Sequence, residues 1–212
     1  FAFVNFCLNF AMVLLGPMVL PAGGSAGLGI VQSVFGLGAL AGGLAVAVFG
    51  GPRKNRIPFL VACLGVAALG VMAAGLRPGL AWAGAGVFLM IFAIQVGGAA
   101  SQKVFQTRIE AGAQGRTKAA RSMLSTSLMP LAFLSAGPLV DRLAGPALLP
   151  GGSLSASWVG RILGLGEGRG AGLLFVVSGT VLLIVTLAVL ASPGIRRLEA
   201  PLPPCPGSPD GV

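Results

Sequence analysis

Long runs with almost no charge recur along this chain, and they constrain its fold more than any other feature. Phe1–Leu20, Ala26–Gly50, Pro58–Gly75, Leu80–Ala100, Leu124–Leu143 and Ala171–Leu190 together hold one acid, Asp141, and one base, Arg142. About 20 apolar residues in a helix cross the hydrocarbon core of a bilayer, and a helix satisfies its own backbone polar groups there. The six runs therefore predict six transmembrane helices and an all-α membrane protein. Composition agrees, since 9% of the 212 residues are charged where a soluble domain has about 25%. The 35 glycines fit the same solvent, because small residues let helices approach closely in lipid. Gly38 and Gly42 have the small-xxx-small spacing used for such contacts.

Charge lies between the runs. Ser101–Met123 carries Lys103, Arg108, Arg116, Lys118 and Arg121 against a single acid, Glu110, and reads as a loop between two helices. Its end, Arg116–Met123, has charged and small residues at helical spacing and is expected at the membrane interface. The fifth run, which follows, is interrupted by Pro130 and by Gly137–Asp141. Gly50–Arg56 adds Arg53, Lys54 and Arg56 with no acid beside them. With Arg196 and Arg197 of the tail, these stretches hold ten of the 14 lysines and arginines, leaving Arg77, Arg142, Arg161 and Arg169 for the opposite side. Cytoplasmic loops are the basic ones, so both ends of the chain are expected in the cytoplasm. Pro21–Ser25 and Leu76–Gly79 read as tight turns on the other side. Between the fifth and sixth runs, Ala144–Gly170 is a weakly polar connection, with a short amphipathic helix expected over Trp158–Leu165. Residues 1–190 form the expected transmembrane domain, and the Pro-rich residues 191–212 a disordered tail.

The net charge of +9 is assigned to orientation and to anionic lipid, not to nucleic acid. There is no histidine, and Cys7, Cys63 and Cys205 lack the spacing of a zinc site or a disulfide framework. No acid pair, nucleophile–base set or Gly-Lys-Ser/Thr phosphate loop appears. An enzyme, a bound metal and a cofactor are therefore not expected. The chain opens on Phe1 inside an apolar run with no basic lead-in, which reads as a piece of a longer protein and not as a signal peptide.

Polar side chains inside the runs are the functional candidates, because each must find a partner or a wet cavity. Asn5 and Asn9, four apart, share one helix face; Gln32, Ser33 and Gln95 are the others. For each, hydrogen bonding between helices and lining of a substrate pathway both remain open. Ser101 and Gln102 fall at the cytoplasmic mouth, where solvation alone explains them. Asp141 is the one acid near a span; an interfacial helix-end role and an ion-coupling role are both kept.

The order of these features resembles the C-terminal six-helix half of a major facilitator superfamily transporter, in the bacterial drug and siderophore exporter branch. The resemblance rests on GLGIVQSVFGLGALAGGLAVAVFGGPRKNR (Gly27–Arg56), SQKVFQTRIEAGAQGRTKAARSM (Ser101–Met123), AGPLVDRLAGPALLPGG (Ala136–Gly152) and LGLGEGRGAGLLFVVSG (Leu163–Gly179). Gly42, Leu44, Ala45, Gly50, Gly51, Arg53 and Lys54 are similar to the family's cytoplasmic loop motif, and Gly115–Arg116 to a loop element of the exporter branch. Val46 stands where that motif has its aspartate, so a strong latch between helices in this half is not implied.

The resemblance implies a twelve-helix bundle, with an N-terminal six-helix half as partner and a small-molecule cavity between the halves. The implied activity is export of a small amphipathic molecule by alternating access, coupled to protons through an acid in the other half. The alternative is a stand-alone six-helix membrane protein with a structural or partner-binding role.

Overall fold

A computed structural model describes residues 2–50, 56–108, 111–149, 151–152 and 157–191. Among them every regular element is helical: α1 (Ala2–Phe49), α2 (Arg56–Leu76), α3 (Leu80–Arg108), α4 (Ala111–Thr126), α5 (Met129–Pro138), a π-helical segment (Leu139–Ala144), α6 (Gly145–Leu148), α7 (Trp158–Leu163) and α8 (Arg169–Ala191). Five stretches are long and apolar enough to cross a membrane: Phe3–Phe49, Pro58–Leu76, Leu80–Gln102, Gly115–Leu148 and Arg169–Ala191. That is the build of a membrane protein.

The first stretch is not one straight rod. At ~1.5 Å of rise per residue it would reach about 70 Å, more than twice the hydrocarbon thickness of a bilayer. Gly24 breaks it, at φ 60° and ψ −164°, a conformation that glycine adopts without steric penalty. Met12, Leu15 and Gly16 line one cavity with Leu28, Gln32 and Phe35, residues that a straight helix would hold far apart. The chain therefore reverses at Gly24, and α1 consists of two antiparallel arms, residues 2–23 and 25–49. The turn expected over Pro21–Ser25 is concentrated at Gly24, the one residue of the stretch that takes a positive φ.

Close backbone approach at glycines fixes the neighbours. A Cβ added to Gly70 would lie 2.7 Å from the Met90 nitrogen, and one on Gly86 would lie 2.7 Å from the Gly70 oxygen. The helices α2 and α3 thus touch main chain to main chain, running antiparallel, with Gly97 opposite Cys63 nearer their charged ends. Gly179 meets Met72 and Gly75 meets Phe175 in the same way, which sets α8 antiparallel to α2. On the second arm of α1, Gly38 faces Phe88 and Gly42 faces Phe92, each with a Cβ position 3.0 Å from the carbonyl oxygen, so this arm runs parallel to α3. The first arm runs the other way, with Gly23 against Leu80 and Asn5 beside Ser101.

Phe10, Leu14, Met18, Val71, Val87, Met90 and Phe175 fill the space between these helices. The outer faces are apolar too: Leu37, Leu40, Leu44 and Phe49 of the second arm, Leu131 and Leu134 of α5, and Ile184 and Leu187 of α8 are exposed. A chain whose solvent is lipid has no reason to hide them.

One expectation is corrected: the basic segment is helical well beyond its Arg116–Met123 end, since α3 continues to Arg108 and α4 begins at Ala111. Its Ala, Gln, Lys and Arg residues are good helix formers and carry the rods beyond their apolar parts. The fifth run is interrupted close to the expected places, by a turn at 127–128 and by the π-helical segment, where the Gly145 N–H donates to the Val140 oxygen five residues back. The connection after it holds the expected short helix as α7, capped by Ser157, whose Oγ accepts from the Val159 N–H at 3.0 Å, and adds the short α6. Gly51, Arg53 and Lys54 of the loop motif and the tail from 192 lie outside the described residues.

Gly70→Leu and Gly86→Leu are expected to destabilise the detergent-solubilised protein by roughly 1–3 kcal/mol or more, read as a lowered midpoint in circular-dichroism melts. Gly43→Leu, where a side chain would meet open space, should stay within about 0.5 kcal/mol of the parent.

Candidate functional site

A cavity of about 540 Å³ lies at the end of the bundle where α3 and α4 carry the basic residues. This size falls within the ~300–1,000 Å³ range of small-molecule sites. Four elements wall it: the first arm of α1, α2, α3 and α4. Its inner part is apolar, formed by Leu8, Leu60, Leu64, Ala93 and Ile94, with the Cys63 thiol among them. Gly97 and Gly98 of α3 leave the room that side chains would otherwise take.

The polar wall comes from α4. Lys118, Ser122, Ser125 and Thr126 all line the cavity; at offsets of four, seven and eight residues they form one helical stripe. Thr126 uses its hydroxyl proton on its own helix, donating to the Ser122 oxygen at 2.8 Å, which leaves an oxygen acceptor for the cavity. Ser101 and Gln102 of α3 and Asn5 of α1 complete the polar rim. Ser101 is buried, with only 8% of its surface exposed. Among the described residues Lys118 is the one charged residue in the lining, with no carboxylate beside it. Among the described residues no three of His, Cys, Asp and Glu converge. The arrangement offers binding: an apolar floor for a hydrophobic body, hydroxyl and amide groups at its edge, and a cation.

The structure separates the residues singled out from the sequence. Asn5 reaches this cavity. Asn9, half-buried, instead donates from Nδ2 to the Asn5 backbone oxygen at 2.8 Å. Gln32 lines the separate 370 Å³ cavity between the two arms of α1. Ser33 is exposed, its Oγ donating to the Gly29 oxygen at 2.9 Å. Gln95 is exposed, its Cβ held against Gly42 of the second arm. Gly50 closes the second arm at φ 70°, and Gly115 and Arg116 are exposed on α4. Asp141 is exposed in the π-helical segment, at the opposite end from the cavity, since α6 just beyond it packs against the start of α8. Lys118, given from the sequence to orientation, and Ser101 and Gln102, given to solvation, belong to the cavity wall, as do Ser122, Ser125 and Thr126, which were not singled out. The signal on α4 was the helical spacing of four polar residues across the boundary between the basic segment and the fifth run.

No family model matches the chain, and neither the curated proteins nor the solved structures give a significant match.

With Cys205 replaced by serine, an uncharged maleimide is expected to label Cys63 through the cavity and to leave Cys7, buried to 5% exposure, unlabelled until the protein unfolds. Ser125→Trp, which fills the cavity from α4, should slow Cys63 labelling by roughly tenfold, equivalent to about 1.4 kcal/mol in the access equilibrium. Mass spectrometry of the labelled peptides reads both results.

Proposed function

We propose that this chain is one six-crossing half of a secondary transporter of the major facilitator type, moving a small amphipathic molecule across a bacterial cytoplasmic membrane. The observation that carries the reading is the 540 Å³ cavity with an apolar floor, a polar wall and Lys118 at its edge, set between helices that alternate in direction. Counting the two arms of α1 separately, the chain crosses six times, the segment 115–148 being the fifth crossing and α8 the sixth. Both ends of α3 and α4 that carry Lys and Arg then face the cytoplasm, and the cavity takes its ligand from that side.

Amphipathic substrates suit such a lining. A hydrophobic body fills the space among Leu8, Leu60 and Ile94, while an acceptor or anionic group meets Lys118 and the hydroxyls of Ser122 and Ser125. The exposed apolar faces of the second arm and of α5 then divide between lipid and an N-terminal six-helix half, against which this half rocks to expose the site alternately. Export is the direction the resemblance to drug and siderophore exporters implies, with proton coupling through an acid of that other half. Asp141 stands far from the cavity and is exposed, a position suited to the interface and not to coupling.

The test is efflux from vesicles containing the complete transporter, with a panel of dyes, antibiotics and siderophores. Lys118→Gln is expected to lower efflux of anionic substrates by roughly 10-fold, the loss of about one charge-assisted hydrogen bond, at unchanged protein level. Asp141→Asn should leave pH-driven efflux within a factor of about two. A cysteine at Arg116 should react with an impermeant reagent from the inner face only. Labelling of Arg116→Cys from outside intact cells would refute the orientation, and with it the reading.

A further inference from the structure

The end of the bundle away from the cavity holds an unexplained buried charge. Arg169, at the first position of α8, has 7% of its surface exposed. Of its guanidinium N–H groups only one has a partner among the described residues: Nη1 donates to the Leu163 oxygen at 3.0 Å. Glu167, two residues earlier, is exposed and makes no ion pair with it. The charge also sits at the wrong end of its helix, because the N-terminus of α8 already carries the positive pole of the backbone dipoles. A guanidinium buried among Met18, Val19, Ala22 and Ala83, with no counter-ion among the described residues, is expensive.

A second arginine faces the same place. Arg77, in the turn between α2 and α3, lines a small void together with Arg169. It is exposed, and its guanidinium carbon lies 5.7 Å from the centre of the Trp82 ring. The void has about 10 Å³ free, close to the space that one water or one oxygen atom occupies. Three glycines with positive φ, Gly164, Gly166 and Gly168, shape the connection that delivers Arg169 to this point. Gly168 lies so close to the Pro17 and Met18 carbonyl oxygens, whose distances from an added Cβ would be 3.1 and 3.0 Å, that the approach is fixed by main chain.

We propose that Arg77 and Arg169, with the N-terminus of α8, form an oxyanion site that receives one oxygen of a phosphate group between the two guanidiniums. The buried arginine and the helix end supply the charge at the bottom of the site, and Arg77 with Trp82 forms its outer lip. The void admits a single oxygen, so the remainder of the ligand projects outward past Arg77. Both an anionic lipid headgroup at the membrane surface and free phosphate present that chemistry. Trp82, half-exposed beside Arg77, has the amphipathic character of residues at headgroup depth. The site is independent of the transport reading and of the cavity at the other end.

The chain has two tryptophans, so Trp158→Phe leaves Trp82 as the reporter. In the full chain carrying that change, Trp82 quenching is compared in vesicles of brominated phosphatidylglycerol and brominated phosphatidylcholine, with and without excess inorganic phosphate. The expected result is a preference for phosphatidylglycerol of roughly fivefold, falling to no preference in Arg169→Gln and in Arg77→Gln. If that preference survives excess phosphate, the ligand is the lipid headgroup. If phosphate abolishes it, or alters Trp82 emission in phosphatidylcholine only while both arginines are present, the ligand is the soluble anion. Equal behaviour of the parent and both variants towards lipid and phosphate overturns the site. Should Arg169→Gln not fold, Arg77→Gln, at an exposed position, decides alone, and Arg169→Lys is expected to retain part of the preference.

Discussion

Main chain held against main chain at glycine is the contact on which this bundle depends. In lipid an apolar side chain gains little by turning inward, because the acyl chains outside are as apolar as the protein. What remains is dispersion, and dispersion rewards only close approach. Gly70 and Gly86 bring α2 and α3 together, Gly75 and Gly179 join α2 to α8, and Gly38 and Gly42 seat the second arm of α1 on α3. The same three seams determine which helix runs beside which and in what direction. The core side chains Leu14, Val71, Val87, Met90 and Phe175 fill the space that these contacts define.

Much of the plan was legible in the sequence, since it follows from charge and length alone. Runs without charge mark the rods, and Gly38 and Gly42 could be picked out by spacing. Boundaries outside the apolar runs were less legible. Residues 101–115 looked like a loop because they are basic and punctuated by glycine, yet Ala, Gln, Lys and Arg extend a helix readily. The helical spacing of Arg116–Met123 was legible, but a boundary at Leu124 divided the stripe of Lys118, Ser122, Ser125 and Thr126 between a basic segment and an apolar run. That division hid the cavity wall. Gln32 and Gln95, conspicuous as amides in apolar runs, stand on other faces of their helices. The pathway candidates were chosen by polarity; rotation about the helix axis, which polarity does not encode, set Gln32, Ser33 and Gln95 apart from Asn5, while Asn9, on the same face, is bonded to the Asn5 backbone oxygen.

Arg169 shows a different limit. In the sequence it is one of four basic residues on the sparsely charged side, and nothing near it marks it as buried. Its burial follows from tertiary placement: the positive-φ glycines of the connection fold the chain down onto the arm carrying Pro17 and Met18. Its distance from Glu167 is likewise a matter of backbone path and not of sequence separation. Charge counts along a chain describe orientation well and local electrostatics poorly, because the second depends on which neighbours the fold removes from water.

The two ends of the bundle differ in how firmly they are held. Near Arg169, α8 meets α2 at Gly75 and Gly172 and meets the fifth stretch at Gly170, whose Cβ position would lie 2.5 Å from the Ala144 carbonyl carbon. At the other end, among the described residues, no comparable glycine contact ties α4 to its neighbours, and a side chain at Gly115 would meet open space. Met123 and Leu124 of α4, like Leu131 and Leu134 of α5, are exposed. The 115–148 stretch is also broken twice, at 127–128 and at the π-helical segment, so it reaches the packed end through two interruptions of regular hydrogen bonding. Local stability follows buried contact and regular bonding. The polar wall of the cavity is therefore the least anchored wall, facing α2 and α3, which are locked together by their backbones.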